Sequence, residues 1–457
     1  MTNRNSNGAA NDKNKLVARL YKFAAENNHI DPYLFDYYDV KRGLRNKDGT
    51  GVLVGLTQVG DVQGYVLENG KKVPVEGRLR YRGIDVEDIA EACQKEKRFG
   101  FEEVCFLLLF GKLPTRKELD IFCEILWKSR YLENSFVEDV ILKQPSKNIM
   151  NKLARCILSC YSYEENPDDL SVNSVLSRCI DLIAQVPVFV AYSYMAKRHY
   201  IDHESLHIHL PKEDHSTAEC LLHMIRPDCS FTRAEAEILD LALILHAEHG
   251  GGNNSTFVTR VATSSGTDTY SAIAAGVGAL KGPKHGGANI KVEEMVENIK
   301  ANVPNWEDEK AVKEYLEKIL DKEAFDGAGL IYGMGHAVYT LSDPRAVLLK
   351  KKAEELARIK NMENEFHLYD TIEKMTKELF AERKGRKDIC ANVDLYSGLV
   401  YKMLGIPKDL YTPIFAIARM PGWCAHSLEE LISGGKIIRP AYRTLFQINK
   451  YKPLSER

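Results

Sequence analysis

His246 and His249 stand three residues apart in LHAEHGGGNNST, at the end of an apolar run that reads as a helix. That spacing places both rings on one helical face, and Gly250–Gly252 end the helix and let a backbone come close to a ligand. A polar C-terminal cap is the competing reading. A zinc site would need a third ligand and the order HExxH, which is missing here. In KGPKHGGAN, Gly282, Gly286 and Gly287 flank His285 just ahead of a predicted helix. A neutral histidine at a helix N-terminus can donate a hydrogen bond to a developing enolate oxygen. A plain glycine turn with a solvated ring is the alternative.

YGMGHAVYTLSDPRAVLLK sets His336 in a Gly-x-Gly turn nine residues before Arg345. Asp343 suits an N-cap and Pro344 the first helical position, so Arg345 projects from a helix start that favours anions. A guanidinium there fits a carboxylate by paired hydrogen bonds. A capped surface helix with a nearby loop histidine is the bland reading. In ANVDLYSGLVYKML, Asp394 lies where irregular chain becomes helix, and a structural N-cap is the strong alternative to a base. Arg419 sits inside the apolar run FAIARMPGWCAH, where an unpaired charge is costly, so something anionic should meet it. His199, His203, His207, His209 and His215 crowd a polar stretch that reads as a solvated linker, since cysteines at ligand spacing are absent.

The elements that must position these groups are mainly helices. Apolar periodicity predicts helices over Leu16–Asn28, Phe101–Phe110, Lys117–Ser129, Ile149–Tyr161, Val175–Lys197 and Ala234–His246. It predicts more over Ser271–Leu280, Val292–Ala301, Ala311–Leu320, Pro344–Ile359 and Leu368–Phe380. Residues 51–83 are rich in Val, Gly and Tyr, and Glu68-Asn69-Gly70 marks a turn between short strands. Residues 1–14 lack apolar anchors and read as a mobile tail.

The bulk properties narrow the function further. Of 457 residues, 44% are hydrophobic and 28% charged, an ordinary globular mix. Sixty-two basic against 64 acidic residues give no field that would favour nucleic acid or a membrane. No apolar run approaches the ~18 residues of a membrane span, because Asp181, Gln185 and Pro187 break the nearest candidate, around Ile180–Ala196. Ten cysteines without a CxxC pair read as reduced, mostly buried thiols. The opening has no apolar h-region. The expectation is a soluble cytoplasmic protein whose partners are small molecules or copies of itself.

In the order HAEHGGGN, GPKHGGAN, GMGHAVY…DPR, NVDLYSG, ARMPGW and IIRP, these pieces resemble the citrate synthase family. RLRYRGIDVEDIA, residues 78–90, resembles its N-terminal signature, and the match runs from about residue 50 to 445. The resemblance implies a mainly α, two-domain helical fold with a small N-terminal β element, a homodimer, and a site in the cleft between domains. An N-terminal tail and extension would cover 1–50, a large helical domain 51–284 plus 396–457, and a small helical domain 285–395.

Carried over by position, the resemblance implies that Asp394 removes a methyl proton from acetyl-CoA while His285 stabilises the enol. His336 would polarise the oxaloacetate ketone. His249, Arg345 and Arg419 would hold oxaloacetate, with Arg439 reaching in from the partner subunit. Hydrolysis of the resulting citryl-CoA would release citrate and CoA, with no metal or cofactor. The family often places a basic residue for the CoA phosphates before DPR, where Thr340 and Leu341 stand here. Lys387 is therefore the CoA candidate, with Arg386 and Lys384 beside it. A 2-methylcitrate synthase acting on propionyl-CoA is the nearest rival, since one methylene is worth only ~1–3 kcal/mol in a pocket. A helical metal-dependent hydrolase using His246, His249 and the 199–215 histidines is a remote one. A catalytically dead CoA-binding relative is disfavoured by His285, His336 and Asp394 occurring together.

Overall fold

The computed structural model describes residues 5–68, 71–385 and 388–457. Contacts gather the chain into two compact units, residues 1–55 and residues 56–457. The first holds α1 (Asn5–Asn27), α2 (Tyr33–Tyr37) and an isolated bridge between Arg45 and Gly51. Residues 5–14, expected as tail, are helical. They contain no proline, and a helix nucleated over the apolar 16–27 stretch propagates outward at little cost.

In the second unit β1 (Gly60–Glu68) pairs antiparallel with β2 (Lys71–Tyr81), which also pairs with β3 (Ile84–Asp85). The register runs from Gly60 opposite Tyr81 to Glu68 opposite Lys71, with an irregularity between Gln63 and Tyr65. The turn expected at Asn69-Gly70 lies outside the described residues. This hairpin lies on the segment between His336 and Asp343. A Cβ on Gly64 would stand 2.5 Å from the Val338 carbonyl oxygen, and one on Gly77 2.1 Å from that of Ser342. Only bare backbone fits there.

The helices that follow are α3 (Val86–Lys95), α4 (Phe101–Phe110), α5 (Arg116–Ser129), α6 (Ile149–Cys160) and α7 (Val172–Tyr200). Next come α8 (Thr217–Ile225), α9 (Arg233–His246), α10 (Asn254–Ser264), α11 (Thr269–Lys281) and α12 (Ala288–Asn302). The last are α13 (Glu309–Leu320), α14 (Pro344–Lys360), α15 (Glu363–Lys384), α16 (Val393–Met403) and α17 (Tyr411–Ile432). Thr115, Ser216 and Thr232 close capping boxes with Glu118, Glu219 and Glu235, which fixes where α5, α8 and α9 begin.

Two long helices run through the core. α7 passes Pro187 without ending, as the helix predicted over Val175–Lys197 does, but against the expectation from Asp181, Gln185 and Pro187 it is long and apolar enough by length and composition to cross a membrane. Here 67% of its apolar stretch is buried inside the protein, and packing of Val186, Val188 and Phe189 outweighs the one backbone bond the proline forgoes. α17 likewise continues through Pro421 and packs on α4, α7, α9, α10 and α11. All ten cysteines are free, and eight are buried. The histidine-rich 201–216 segment is irregular but not wholly solvated. Leu206 and Ile208 pack on the core, and the His209 and His215 rings lie 5.9 Å and 5.3 Å from that of His223.

Candidate active site

α9 ends at His246, so His249 lies past the helix in the following turn and does not share a helical face with it. Both are buried. α17 passes beside this turn, and its Arg419, with 0% of its surface exposed, donates from Nε to the His246 carbonyl at 2.6 Å. Among the described residues its two terminal nitrogens have no hydrogen-bond partner. Burial pulls the guanidinium down to about 10, so it stays cationic at neutral pH, aided by Glu248. These two nitrogens are where the anion expected at Arg419 would bind.

Asp343 caps α14 as expected, accepting the Arg345 backbone N–H at 3.0 Å, with Pro344 in the first turn. Arg345 is buried and its charge faces the Tyr339 ring, 5.7 Å from the ring centre. Tyr339 stacks on His336 at 4.6 Å, and the His249 ring stands edge-on to both, at 5.6 Å and 5.2 Å. The Val338 and Tyr339 backbone N–H groups donate to His336 Nδ1 at 3.0 Å and 3.1 Å. The neutral ring therefore carries its proton on Nε2.

His285 sits in the turn before α12. The Ser255 backbone N–H donates to its Nε2 at 3.4 Å, and the Ser255 hydroxyl lies 3.0 Å from the same atom. An amide can only donate, so the ring proton is on Nδ1. Trp423 Nε1 holds the Ser255 hydroxyl at 3.2 Å. Burial, and then the charge of Arg419, lower the His285 imidazole to about 4, so it is neutral under physiological conditions. Phe415 links the two halves of the site: its ring lies 6.4 Å from that of His285 and 4.7 Å from that of His246.

Asp394 is not the cap of α16. Asn392 is, accepting the Asp394 backbone N–H at 3.0 Å, which leaves the Asp394 carboxyl free of capping in the first turn. Burial pushes that carboxyl up to about 6, with Asp343 adding to the shift and Arg345 and Arg419 opposing it. The group is ionised at neutral pH, and more basic than an ordinary aspartate.

The fold thus gathers His249, His336, Arg345, Arg419 and Asp394 through ring contacts and charge, with His285 joined through Phe415 and Arg419. Arg439 is not among them: it is exposed, in the irregular chain after α17. Arg386 and Lys387 lie outside the described residues, as does the Lys384 side chain. Among the described residues no three His, Cys, Asp or Glu side chains converge as a metal site. Ser255 and Trp423 fall inside LHAEHGGGNNST and ARMPGW, but their residue types alone give them no role there. A serine at the start of a helix and a tryptophan in an apolar run carry no local sign that they meet.

Residues 48–441 match the family model described as citrate synthase, C-terminal domain. The chain belongs to the citrate synthase family. It is 35% identical over 390 residues to the citrate synthase of Synechocystis, covering 84% of this chain and 89% of the relative. It is 32% identical to 2-methylcitrate synthase 1 of Corynebacterium glutamicum, covering 85% and 94%. The solved Thermoplasma acidophilum citrate synthase, a ternary complex with carboxymethyl coenzyme A and oxaloacetate, is 26% identical with a TM-score of 0.73, over 89% and 97% of the two chains. Family membership makes this chain a transferase with a mainly helical fold, as its sequence implied.

Proposed function

We propose that the chain condenses acetyl-CoA with oxaloacetate and water to give citrate and CoA, the entry step of the tricarboxylic acid cycle. The observation that carries this reading is one carboxyl raised to about 6 beside two buried arginines. Asp394 takes a proton from the acetyl methyl group as His285 Nδ1–H hydrogen-bonds the thioester oxygen. Thioester methyl hydrogens are far too weakly acidic for a carboxylate acting alone, so the enol must be stabilised as it forms. An imidazole held neutral donates its N–H hydrogen bond to the developing enolate oxygen without first taking up a proton. The nucleophilic carbon then attacks the oxaloacetate ketone, whose oxygen receives the His336 Nε2 proton as the C=O π bond opens, giving citryl-CoA, and the proton taken by Asp394 makes good the one that His336 gives up. Water cleaves that thioester, releasing citrate and CoA.

Oxaloacetate carries two carboxylates, which suits the free nitrogens of Arg419, with His249 and Arg345 as further ligands and Arg439 supplied by a second subunit of a homodimer. Residues 285–395 would form a small domain that closes over the large one and excludes water. The reaction needs no metal or cofactor beyond its substrates, and the cytoplasm is its proposed compartment. The decisive assay is release of CoA thiol from acetyl-CoA that depends on oxaloacetate; no such release would sink the reading. The 2-methylcitrate synthase relative supports a second one, in which propionyl-CoA is the substrate. Side-by-side kcat/KM values for the two thioesters separate them.

A further inference from the structure

Glu248 lies between His246 and His249 with none of its surface exposed, and the reaction above does not use it. Its carboxylate is built in closely. A Cβ on Gly60 would stand 2.7 Å from Glu248 Cγ, and one on Gly422 2.7 Å from Oε2. Oε1 accepts the Gly250 backbone N–H and lies 3.0 Å from His426 Nε2, on a ring that is itself fully buried. On the other side of that ring, Nδ1 is 2.8 Å from a terminal nitrogen of Arg260. An arginine N–H can only donate, so Nδ1 accepts and Nε2 donates to Glu248.

Arg260 is fixed in turn by Glu429 at 2.7 Å and Glu430 at 2.9 Å. Glu429 also accepts the Gln58 backbone N–H at 2.6 Å. The chain Glu429–Arg260–His426–Glu248 therefore runs from α17 and α10 into the turn after α9. It ends on the backbone of Gly250, next to His249. The same turn begins at the His246 carbonyl that holds Arg419 Nε. Burying a carboxylate this completely is costly unless it is paired, and here the Gly250 amide and His426 meet Oε1 while Oε2 has no hydrogen-bond partner among the described residues.

We infer that Glu248 and His426 are positioning residues for the dicarboxylate site. Together they fix the turn that presents His249 and the carbonyl that aims Arg419. The negative charge of Glu248 helps keep Arg419 cationic, yet no ion pair joins the two among the described residues, so both terminal guanidinium nitrogens stay available.

The test compares Glu248→Gln, His426→Leu and His426→Gln in the full-length protein, by calorimetry with oxaloacetate and by steady-state rates. Glu248→Gln and His426→Leu should weaken the oxaloacetate Kd by about tenfold or more. Their kcat at saturating oxaloacetate should stay within about threefold, since binding and not chemistry is lost. His426→Gln, whose amide still donates toward Glu248, should recover most of the affinity. A role in fold support alone predicts otherwise: kcat, both KM values and Tm would fall together, with glutamine no better than leucine. That pattern, or an unchanged Kd in every variant, overturns the inference. Should Glu248→Gln fail to fold, the two His426 variants decide. The inference takes its ligand from the proposed reaction. If wild-type protein released no CoA thiol, that reading would fall, while the ratio of oxaloacetate Kd values would still decide the role of Glu248 and His426.

Discussion

Arg345 grips Asp343 through two parallel hydrogen bonds, Nε to Oδ1 at 3.0 Å and a terminal nitrogen to Oδ2 at 2.8 Å. The same Oδ1 caps α14 by accepting the Arg345 backbone N–H. One carboxylate thus starts the helix and aims the side chain that leaves it. Asp343→Ala would strand a buried guanidinium and lose the cap, at about 3–5 kcal/mol. A clear fall in Tm together with a raised oxaloacetate KM is expected. A variant with wild-type Tm and KM would show that Arg345 is held by other contacts.

Asp394→Asn should lower kcat roughly 10²–10⁴-fold while oxaloacetate still binds, since an amide keeps the size but cannot take the proton. The same change should stabilise the protein at neutral pH. Burial raises the Asp394 carboxyl to about 6, above its unfolded value, so the folded state binds the extra proton between about pH 4 and 6. Stability from this group is full below that window and is lost as pH rises through it. The asparagine variant escapes the loss, so its Tm advantage should grow from pH 4 to pH 7. An advantage that is constant across that range contradicts the buried-carboxylate account.

The acid limb of the rate profile should report the same group. A base must be ionised to work, so kcat/KM for the thioester should rise with pH through about 6 and then level. His285, lowered to about 4, is already neutral across that range and adds no second limb. A profile already level at pH 6, with no limb there, would mean that the base is a carboxyl in an ordinary environment.

What could be read in the sequence was local. The Phe101–Phe110 helix was legible end to end, because its apolar run is bracketed by Gly100 and Gly111. The helix around Pro187 was legible over Val175–Lys197 because its apolar period runs on both sides of the proline, and the structure only lengthens it to Val172 and Tyr200. Asp394 could not be told from a cap by local pattern, since Asn392 two residues earlier is an equally good one. Glu248 and His426, or Ser255 and Trp423, meet across 178 and 168 residues of chain, so no spacing rule connects them. The order of the histidine, arginine and aspartate motifs was legible, but the tautomers of His285 and His336 required the backbone amides that set them.

Oxaloacetate alone should close the cleft and raise the affinity for acetyl-CoA. His249 and Arg419 lie outside residues 285–395, whereas His336 and Arg345 lie within them. A dianion that touches both sets favours the closed arrangement by differential contact. Scattering profiles should contract on adding oxaloacetate, and the acetyl-CoA Kd should tighten. Profiles and affinities that do not change at saturating oxaloacetate would contradict this.

Arg439 should complete the site of a second subunit. In its own chain it is exposed, while the arginines of the site are buried, and the backbone beside it is tied to α10 by the Ile438 N–H donating to the Ser264 hydroxyl at 3.0 Å. Beyond it, irregular chain carries Tyr442, Phe446 and Tyr451 at 94%, 81% and 82% exposure, aromatic surface left open to water. A C2 dimer that covers this segment would form two shared sites. The test mixes two inactive variants, Asp394→Ala and Arg439→Ala, after dissociation and reassembly. If the arginine acts across the interface, each hybrid dimer holds one site with both residues intact. Random reassortment makes half the dimers hybrid, so about a quarter of all sites should regain activity. If Arg439 serves its own subunit, every hybrid site lacks one of the two groups, and activity stays absent however complete the exchange. Hybrids confirmed by native mass measurement that remain inactive would therefore disprove the shared site.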